Sequence, residues 1–393
     1  MFDIKEYAKI YMLFIFHEMC AGQVSFLPKG KTMMSKMYNM AHHLYKNVFH
    51  YSEVSSFSIA RSDYWNLTGH MSKYKSNMFK IDEEKDMYLK PMNCPMHMIL
   101  AEHIYKIQQK TPIKIYEFNY CFRNENSGSL YSLFRLIRFT QDDVHIIESL
   151  DNIPNYLDLF IKHVKSTYSK FNLNNIKVRF SKTDVDYIGN IDQKNKSEFI
   201  IKNFLCKNNI DYIDSVEGAF YGPKIDIIVI DRLNRNWQVG TIQIDLCTLE
   251  RIRFPLLNND NYQNTILIHQ AIFGTFERFL GVVIEHNQGV PECITPFLCK
   301  FIGITNKEEI MNYINNIYEE IIDNIDDISI DYSNEHLNNK IKKNFHYEYL
   351  CIIGEKEVKN NEINIYHTKQ NKKYSLSKKE FIIFIKDKKK YKC

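Results

Sequence analysis

The arginines of one short stretch are the first residues in this sequence whose types and spacing suggest chemistry. In YCFRNENSGSLYSLFRLIRFTQDDVHII, Arg123, Arg135 and Arg138 stand beside Glu125, Asp142, Asp143 and His145. Side chains alternate along a strand, so Arg123 and Cys121 are expected on one face and Phe122 on the other. Several guanidiniums on one sheet surface repel each other unless they share an anion, and bidentate contact with phosphate or carboxylate is the usual resolution. A salt-bridged, solvated hairpin is the plainer alternative.

Glycine is scarce, 13 residues in 393, so its placement carries information. Gly69, Gly128, Gly218, Gly222, Gly240 and Gly274 all fall near His, Arg, Lys or Gln. Each marks either a close backbone approach or an ordinary turn. Lys29-Gly30-Lys31-Thr32 mimics the end of a phosphate-binding loop. The first glycine of that pattern would fall at Ser25, however, and no apolar strand leads into it, so the loop is rejected.

Positioning these residues takes a sizeable scaffold. Ile4 to His17 and Met33 to Val48 have helical spacing, separated by a turn around Pro28 and Gly30. Ile113 to Phe122 reads as a strand, Asn124 to Gly128 as a turn, and Phe134 to Thr140 as the returning strand of a long hairpin. Tyr156 to Phe171 and Lys196 to Asn208 read as helices, Ile176 to Phe180 as a strand. Lys224 to Ile230 and Trp237 to Leu246 make a second strand pair, and Ile272 to Glu285 a closing helix. Strands in the middle with helices set around them argue for an α+β class with an antiparallel sheet flanked by helices. After Pro291 to Pro296 the chain turns rich in Ile, Asn and Lys. Cys299 to Ile304, Glu308 to Ile322, Tyr349 to Ile353 and Lys378 to Ile385 then follow a β-α-β-α order, which suits a separate small α/β domain. The expected division is 1–292 and 293–393.

With 45% hydrophobic and 25% charged residues the chain can bury a large core and is not disordered as a whole. A net charge of +4 permits a nucleic-acid partner without demanding one. Nine cysteines without a repeating spacing suggest free thiols in a reducing compartment. The apolar run Ile10 to Phe16 falls far short of the roughly 20 residues of a membrane helix. Asp3 and Glu6 at the start do not suit a secretory leader.

KPMNCPMH, the hairpin above, EGAFYGPKIDI, WQVGTIQIDL and IHQAIFGTFERFLG occur in this order. Together they resemble the catalytic domain of the threonyl-tRNA synthetase family, which belongs to the class II aminoacyl-tRNA synthetases. The likeness runs from about Asp3 to Pro296 and weakly onward, and it implies an antiparallel sheet that binds ATP. By this resemblance Arg123 grips the α-phosphate and the substrate carboxylate, Glu125 faces the adenine amino group, and Phe139 stacks on the ring. Arg135 and Arg278 would hold the outer phosphates, with Mg2+ accompanying the ATP. Such cations suit nucleotidyl transfer, which is catalysed chiefly by positioning and by charge on the developing oxyanion.

The resemblance also makes Cys94, His145 and His269 the ligands of one Zn2+. Three protein ligands leave a coordination position open, the style of a catalytic site. Threonine and valine are nearly isosteric, and an apolar pocket separates such a pair by only about a hundredfold, whereas a site that must bond the hydroxyl does far better. Asp143 is implied to accept from that hydroxyl, with Gln141, Tyr221 and Thr275 lining the pocket. His70 matches the histidine near the ribose of the terminal adenosine of tRNA. Gln238, Gln243 and Lys224 match polar groups of the cleft.

Three departures stand out: Met96 beside the zinc cysteine, Ile137-Arg138 in the hairpin loop, and Phe57 where a proline of the dimer interface is expected. In the C-terminal domain Asn334 and Glu357 match anticodon-contacting positions, while Tyr366 replaces an arginine and could stack on a base instead. Lys386 to Lys392 could supply phosphate contacts or form a solvated tail. The implied protein is a threonine–tRNA ligase acting on ATP, threonine and tRNA(Thr), a homodimer of the cytoplasm or an organelle. A synthetase-like RNA-binding or regulatory protein, and an enzyme making adenylates for another acceptor, are the rival readings.

Larger members of the family carry an editing domain ahead of the catalytic one, and this sequence is expected to lack it. Serine keeps the hydroxyl and lacks one methyl, a difference of about 1 to 3 kcal/mol. Measurable serylation of the same tRNA is therefore expected; an aminoacylation assay in which serine is rejected about ten-thousandfold would overturn that expectation.

Overall fold

The computed structural model describes residues 2–183, 187, 189–219, 221–257, 261–322 and 327–390. The chain divides into two compact units, one of residues 1–10, 14–25 and 41–289, the other of residues 11–13, 26–40 and 290–393.

The first unit is built on an eight-stranded sheet. Its order is Tyr212–Ser215, Ile176–Ser181, Lys224–Ile230, Asn236–Asp245, Thr265–Ala271, Arg138–Ser149, Ile113–Phe122 and Ser52–Glu53. Only the outermost pair at each end is parallel; the rest is antiparallel, flanked by helices, as the α+β reading requires. The Ile113–Phe122 and Arg138–Ser149 strands pair from Ile113 opposite Ile147 to Phe122 opposite Arg138. The Cys94–Gln108 helix packs Met98, Ala101 and Tyr105 on Ile113, Ile115, Ile147 and Leu267.

Several elements differ from the sequence reading. The returning hairpin strand begins at Arg138, not Phe134. Leu133, Phe134 and Leu136 are instead buried loop residues, with Phe134 stacked 4.4 Å from Trp237, so their hydrophobicity serves as packing rather than alternation. The closing helix runs Phe276–Asn287, and a strand over Thr265–Ala271 precedes it. That strand is central: Ile266, Leu267 and Ile268 are all buried, so it reads as a continuous apolar run with no period to betray it. The first helix stops at Ile10, because Phe14–Ile15 pairs with Ser25–Phe26 as a small ladder. Pro28, read as a turn, opens the Pro28–His42 helix, where its missing N–H costs nothing.

The second unit has a five-stranded sheet ordered Ile328–Asp331, Cys299–Gly303, Tyr349–Ile353, Glu362–His367 and Lys372–Ser377. The first three are parallel and the last two antiparallel. Ile310, Ile314, Ile317 and Ile321 of the Glu308–Ile322 helix form one buried face against it. Three of these strands, Ile328–Asp331, Glu362–His367 and Lys372–Ser377, went unread in the sequence. Lys386 to Lys390 continue the Lys378–Lys390 helix, and Lys392 lies outside the described residues. Among the described residues no helix is long and apolar enough to cross a membrane.

At the turn before the Phe276–Asn287 helix the backbone requires glycine. Gly274 has φ +66°, and a Cβ there would lie 2.3 Å from the Val239 carbonyl oxygen; its own carbonyl accepts from the Asp142 N–H at 2.8 Å. Gly128, by contrast, faces open space and is an ordinary turn residue. Gly274→Ala is expected to lower unfolding free energy by about 2 kcal/mol or more, read by denaturant titration. A loss below about 0.5 kcal/mol would show that the turn relaxes freely.

Candidate active site

A cavity of about 170 Å³ in the first unit is lined by His70, Cys94, Arg123, Gln141, Asp143, His145, Tyr221, Gln243 and His269, with Thr241, Asp245 and Thr248 among its other walls. Strand periodicity explains much of this. Gln141, Asp143 and His145 are alternate residues of one strand, and Thr241, Gln243 and Asp245 alternate on another, so each set presents one face. His269 lies on the strand between them and is the direct register partner of both His145 and Gln243. Cys94 starts a helix at the cavity edge.

The thiol of Cys94 and one nitrogen each of His145 and His269 all lie within 4.8 Å of one another. His145 Nε2 and His269 Nδ1 are 2.9 Å apart. Burial, then His97 and His269, holds the His145 ring far below its ordinary pKa and hence neutral, while burial with Asp245 and Asp143 pushes the Cys94 thiol well up. A thiol and two imidazoles, converging with no fourth protein ligand among the described residues, match the donor chemistry of an open zinc site. Behind His269, its Nε2 meets Asp245 Oδ2 at 2.9 Å. Asp245 also accepts from the Cys247 and Thr248 N–H groups and the Thr248 hydroxyl; burial raises its pKa, but His269 and Thr248 outweigh that and lower it. Burial raises Asp143 well above the carboxylate range, and its Oδ1 stands 3.5 Å from His145 Nδ1.

The cationic side is equally specific. Arg123 donates from Nε to the Pro91 carbonyl at 3.2 Å, with its guanidinium 4.9 Å from the centre of the Phe139 ring. Arg278 donates from Nε to the Phe134 carbonyl at 2.9 Å. Burial, then repulsion from Arg123 and Arg135, lowers the pKa of Arg278. Arg135 pairs with Glu125 through Nε and Nη2 at 3.0 and 2.7 Å. Among the described residues, neither Arg123 nor Arg278 has a carboxylate within ion-pair distance. Arg138 leaves this group, its guanidinium over the Tyr120 ring at 4.6 Å, so the sharing of an anion falls to Arg123, Arg135 and Arg278.

The remaining predicted residues are distributed as follows. His70 Nδ1 lies 2.9 Å from Thr68 Oγ1, and burial, then His269, lowers its pKa to about 4. The Tyr221 hydroxyl donates to Gln243 Oε1. Thr275 bridges to Gln141, at the start of the helix that carries Arg278. Lys224 pairs with Asp226 Oδ2 at 3.1 Å, and exposed Gln238 is held by Asp226 and Arg179, outside the cavity wall. In the second unit, Asn334 lines a separate hollow with Thr305, His336 and Lys340. Glu357 is buried and holds the Gly354 N–H and the Asn364 amide, while the Tyr366 hydroxyl donates to Asn371 Oδ1 at 3.0 Å. Asp245, Thr241 and Thr248 were not singled out in the sequence. Alternation with Gln243 in WQVGTIQIDL is the signal that marks Thr241 and Asp245.

Residues 74–287 match the family model for the tRNA synthetase class II core domain (G, H, P, S and T), and residues 299–388 match that for an anticodon binding domain. The chain belongs to the class II tRNA synthetases. Its relatives include the threonine–tRNA ligase of Wigglesworthia glossinidia brevipalpis, 37% identical over 87% of this chain and 55% of that protein. That of Petrotoga mobilis is 33% identical over 96% of this chain and 60% of that protein. The chain thus spans somewhat more than half the length of these relatives. The crystal structure of the RNA binding domain of threonyl-tRNA synthetase from Cryptosporidium parvum Iowa II superposes with a TM-score of 0.88, 29% identity and 98% coverage of both chains.

Zinc added to the metal-free protein is expected to bind at about one equivalent and to raise Tm, and Cys94→Ala is expected to abolish both effects. Undiminished binding by Cys94→Ala would remove Cys94 from the metal's coordination.

Proposed function

We propose that this chain activates threonine with ATP and transfers the threonyl group from the adenylate to the 3′ end of tRNA(Thr). The observation that carries this is one cavity in which a thiol and two imidazoles stand beside a guanidinium that lacks a carboxylate partner. Arg123 is placed to hold the α-phosphate and the substrate carboxylate, with Arg278 and Arg135 on the outer phosphates. Glu125 and Phe139 serve the adenine, and Mg2+ accompanies the nucleotide. A guanidinium already fixed through Nε by a backbone carbonyl needs little reorganisation as charge develops.

Bound at Cys94, His145 and His269, Zn2+ would supply a Lewis acid for the amino nitrogen and hydroxyl of threonine, which valine cannot satisfy. Asp143 would accept from the hydroxyl, with Gln141, Tyr221 and Thr275 shaping the pocket and Gln243, Lys224 and Gln238 the polar wall beyond. His70, kept neutral, has Nδ1 at Thr68, which leaves Nε2 as the base for a ribose hydroxyl of tRNA. The unshared guanidiniums support the enzyme over an inactive RNA-binding relative.

Residues 1–292 serve as the catalytic domain and 293–393 as the anticodon reader, with residues 11–13 and 26–40 clustering with the latter. In this reading Asn334 and Tyr366 would touch the anticodon; Glu357, spent on Gly354 and Asn364, would act by fixing that surface. Exposed Phe57, Ile59 and Ile81 support a homodimer, and free thiols at Cys20, Cys94, Cys121, Cys206 and Cys247 suit a reducing compartment such as the cytoplasm.

Threonine-dependent exchange of pyrophosphate into ATP tests the proposal. Arg123→Ala is expected to cut exchange about a hundredfold or more while the fold is retained. No exchange by the zinc-loaded protein would defeat the proposal, and exchange without charging of tRNA would point to a different acceptor.

A further inference from the structure

Behind the metal-ligand set lies a buried group that the proposed reaction does not use. His97, on the same helix as Cys94, is fully buried, with Nδ1 2.7 Å from His145 Nδ1. Its Nε2 faces Glu117 Oε1 at 3.2 Å, close enough for an ion pair though poorly aligned for a hydrogen bond. Glu117 is held in turn by the Ser56 N–H at 2.8 Å and the Ser56 hydroxyl, by the Asn119 amide at 3.2 Å, and by buried Lys90 at 3.3 Å. Burial alone would raise the pKa of Glu117, but His97, Ser56 and Lys90 outweigh it and bring it to about 2, so this carboxylate is an anion.

The three rings therefore form a line between two carboxylates: Glu117, His97, His145, His269, Asp245. This line has four contacts, and imidazoles in the neutral form that metal ligation requires bring one N–H each, three in all. If each carboxylate accepts one, the third proton can serve only one of the two nitrogen–nitrogen contacts. Placed between His97 and His145, it leaves the lone pairs of His145 Nε2 and His269 Nδ1 facing each other, in the set that also holds Cys94. A neutral ring with its other N–H fixed is the form in which histidine ligates a metal.

We propose that His97 is a positioning residue: its Nδ1 accepts the Nδ1–H of His145, locking that ring in the tautomer and orientation that offer Nε2 to the metal ion. Glu117, braced by Lys90 and Ser56, sets the tautomer of His97 by taking its Nε2–H. Asp245 does the same for His269 directly, so both imidazole ligands are oriented from a carboxylate, one of them through a relayed ring. Met96, the departure next to the zinc cysteine, packs with Trp65, Met78 and Tyr88 rather than entering this line.

The inference rests on Cys94, His145 and His269 being the zinc ligands, and the test separates the two. Zinc affinity is measured by competition with a chromophoric chelator for the unsubstituted chain, for His97→Asn and for His97→Gln. Asparagine carries a polar atom near the place of Nδ1, towards His145, whereas glutamine carries it near that of Nε2, towards Glu117. Expected is an affinity within about threefold for His97→Asn and a loss of 10- to 100-fold for His97→Gln. The Co2+-loaded chains should follow, the ligand-field bands being kept in the first and shifted in the second. Equal affinities for the two variants would overturn the positioning role while leaving the ligand assignment intact; absence of zinc binding by the unsubstituted chain would overturn both. A long-range 1H–15N spectrum of the zinc-loaded unsubstituted chain, which needs no variant to fold, should show His97 as the Nε2–H tautomer. The Nδ1–H tautomer there would also overturn the proposal.

Discussion

The register between two neighbouring antiparallel strands is the constraint on which the site depends. His145 and His269 are direct partners across that pair, and His269 is also opposite Gln243 on its other side. A one-residue slip would turn every side chain of a strand to the opposite face, separating the two imidazoles and removing Gln141 and Asp143 from the cavity together. Packing forbids the slip, because Ile146, Ile147, Ile266, Leu267 and Ile268 are buried where they stand. The apolar core thus fixes, through ordinary sheet pairing, a constellation of polar groups that have little affinity for each other.

That constellation is electrostatically unfinished on the cationic side. Arg278 sits near Arg123 and Arg135, and among the described residues only Arg135 of the three has a carboxylate within ion-pair distance. Holding guanidiniums together in a partly buried place costs free energy that an anionic ligand would return on binding. The scaffold tolerates this because the neighbouring backbone is secured elsewhere. Buried Glu277 accepts from the N–H and hydroxyl of Thr140, and Asp142 accepts from the Ile272 and Phe273 N–H groups, tying the hairpin to the turn before the Arg278 helix.

Local pattern sufficed for part of this. The Ile113–Phe122 and Lys224–Ile230 strands and the Glu308–Ile322 helix are among those read from alternation, apolar runs and periodicity, because nothing non-local competes with their patterns. Thr265–Ala271 escaped because a strand buried on both faces carries no alternation, and with it went any local clue that His269 faces the cavity. Leu133, Phe134 and Leu136 misled for the converse reason, being core residues on irregular backbone. Within the site, the arginines of the hairpin were legible as a cationic group; the Cys94, His145 and His269 cluster became legible only through resemblance, since its members lie 51 and 124 residues apart.

By itself the sequence determined the class of fold, the gathering of arginines along one hairpin and the kinds of side chain available to a site, because side-chain chemistry and short-range periodicity are written in order along the chain. Tertiary structure alone decided which nitrogens meet. Cys94 and His97 are three residues apart on one helix, yet one joins the cluster with His145 and His269 and the other stands behind His145, joined to Glu117. That division follows from how the helix docks against the sheet, a matter of packing among distant residues that no local spacing encodes.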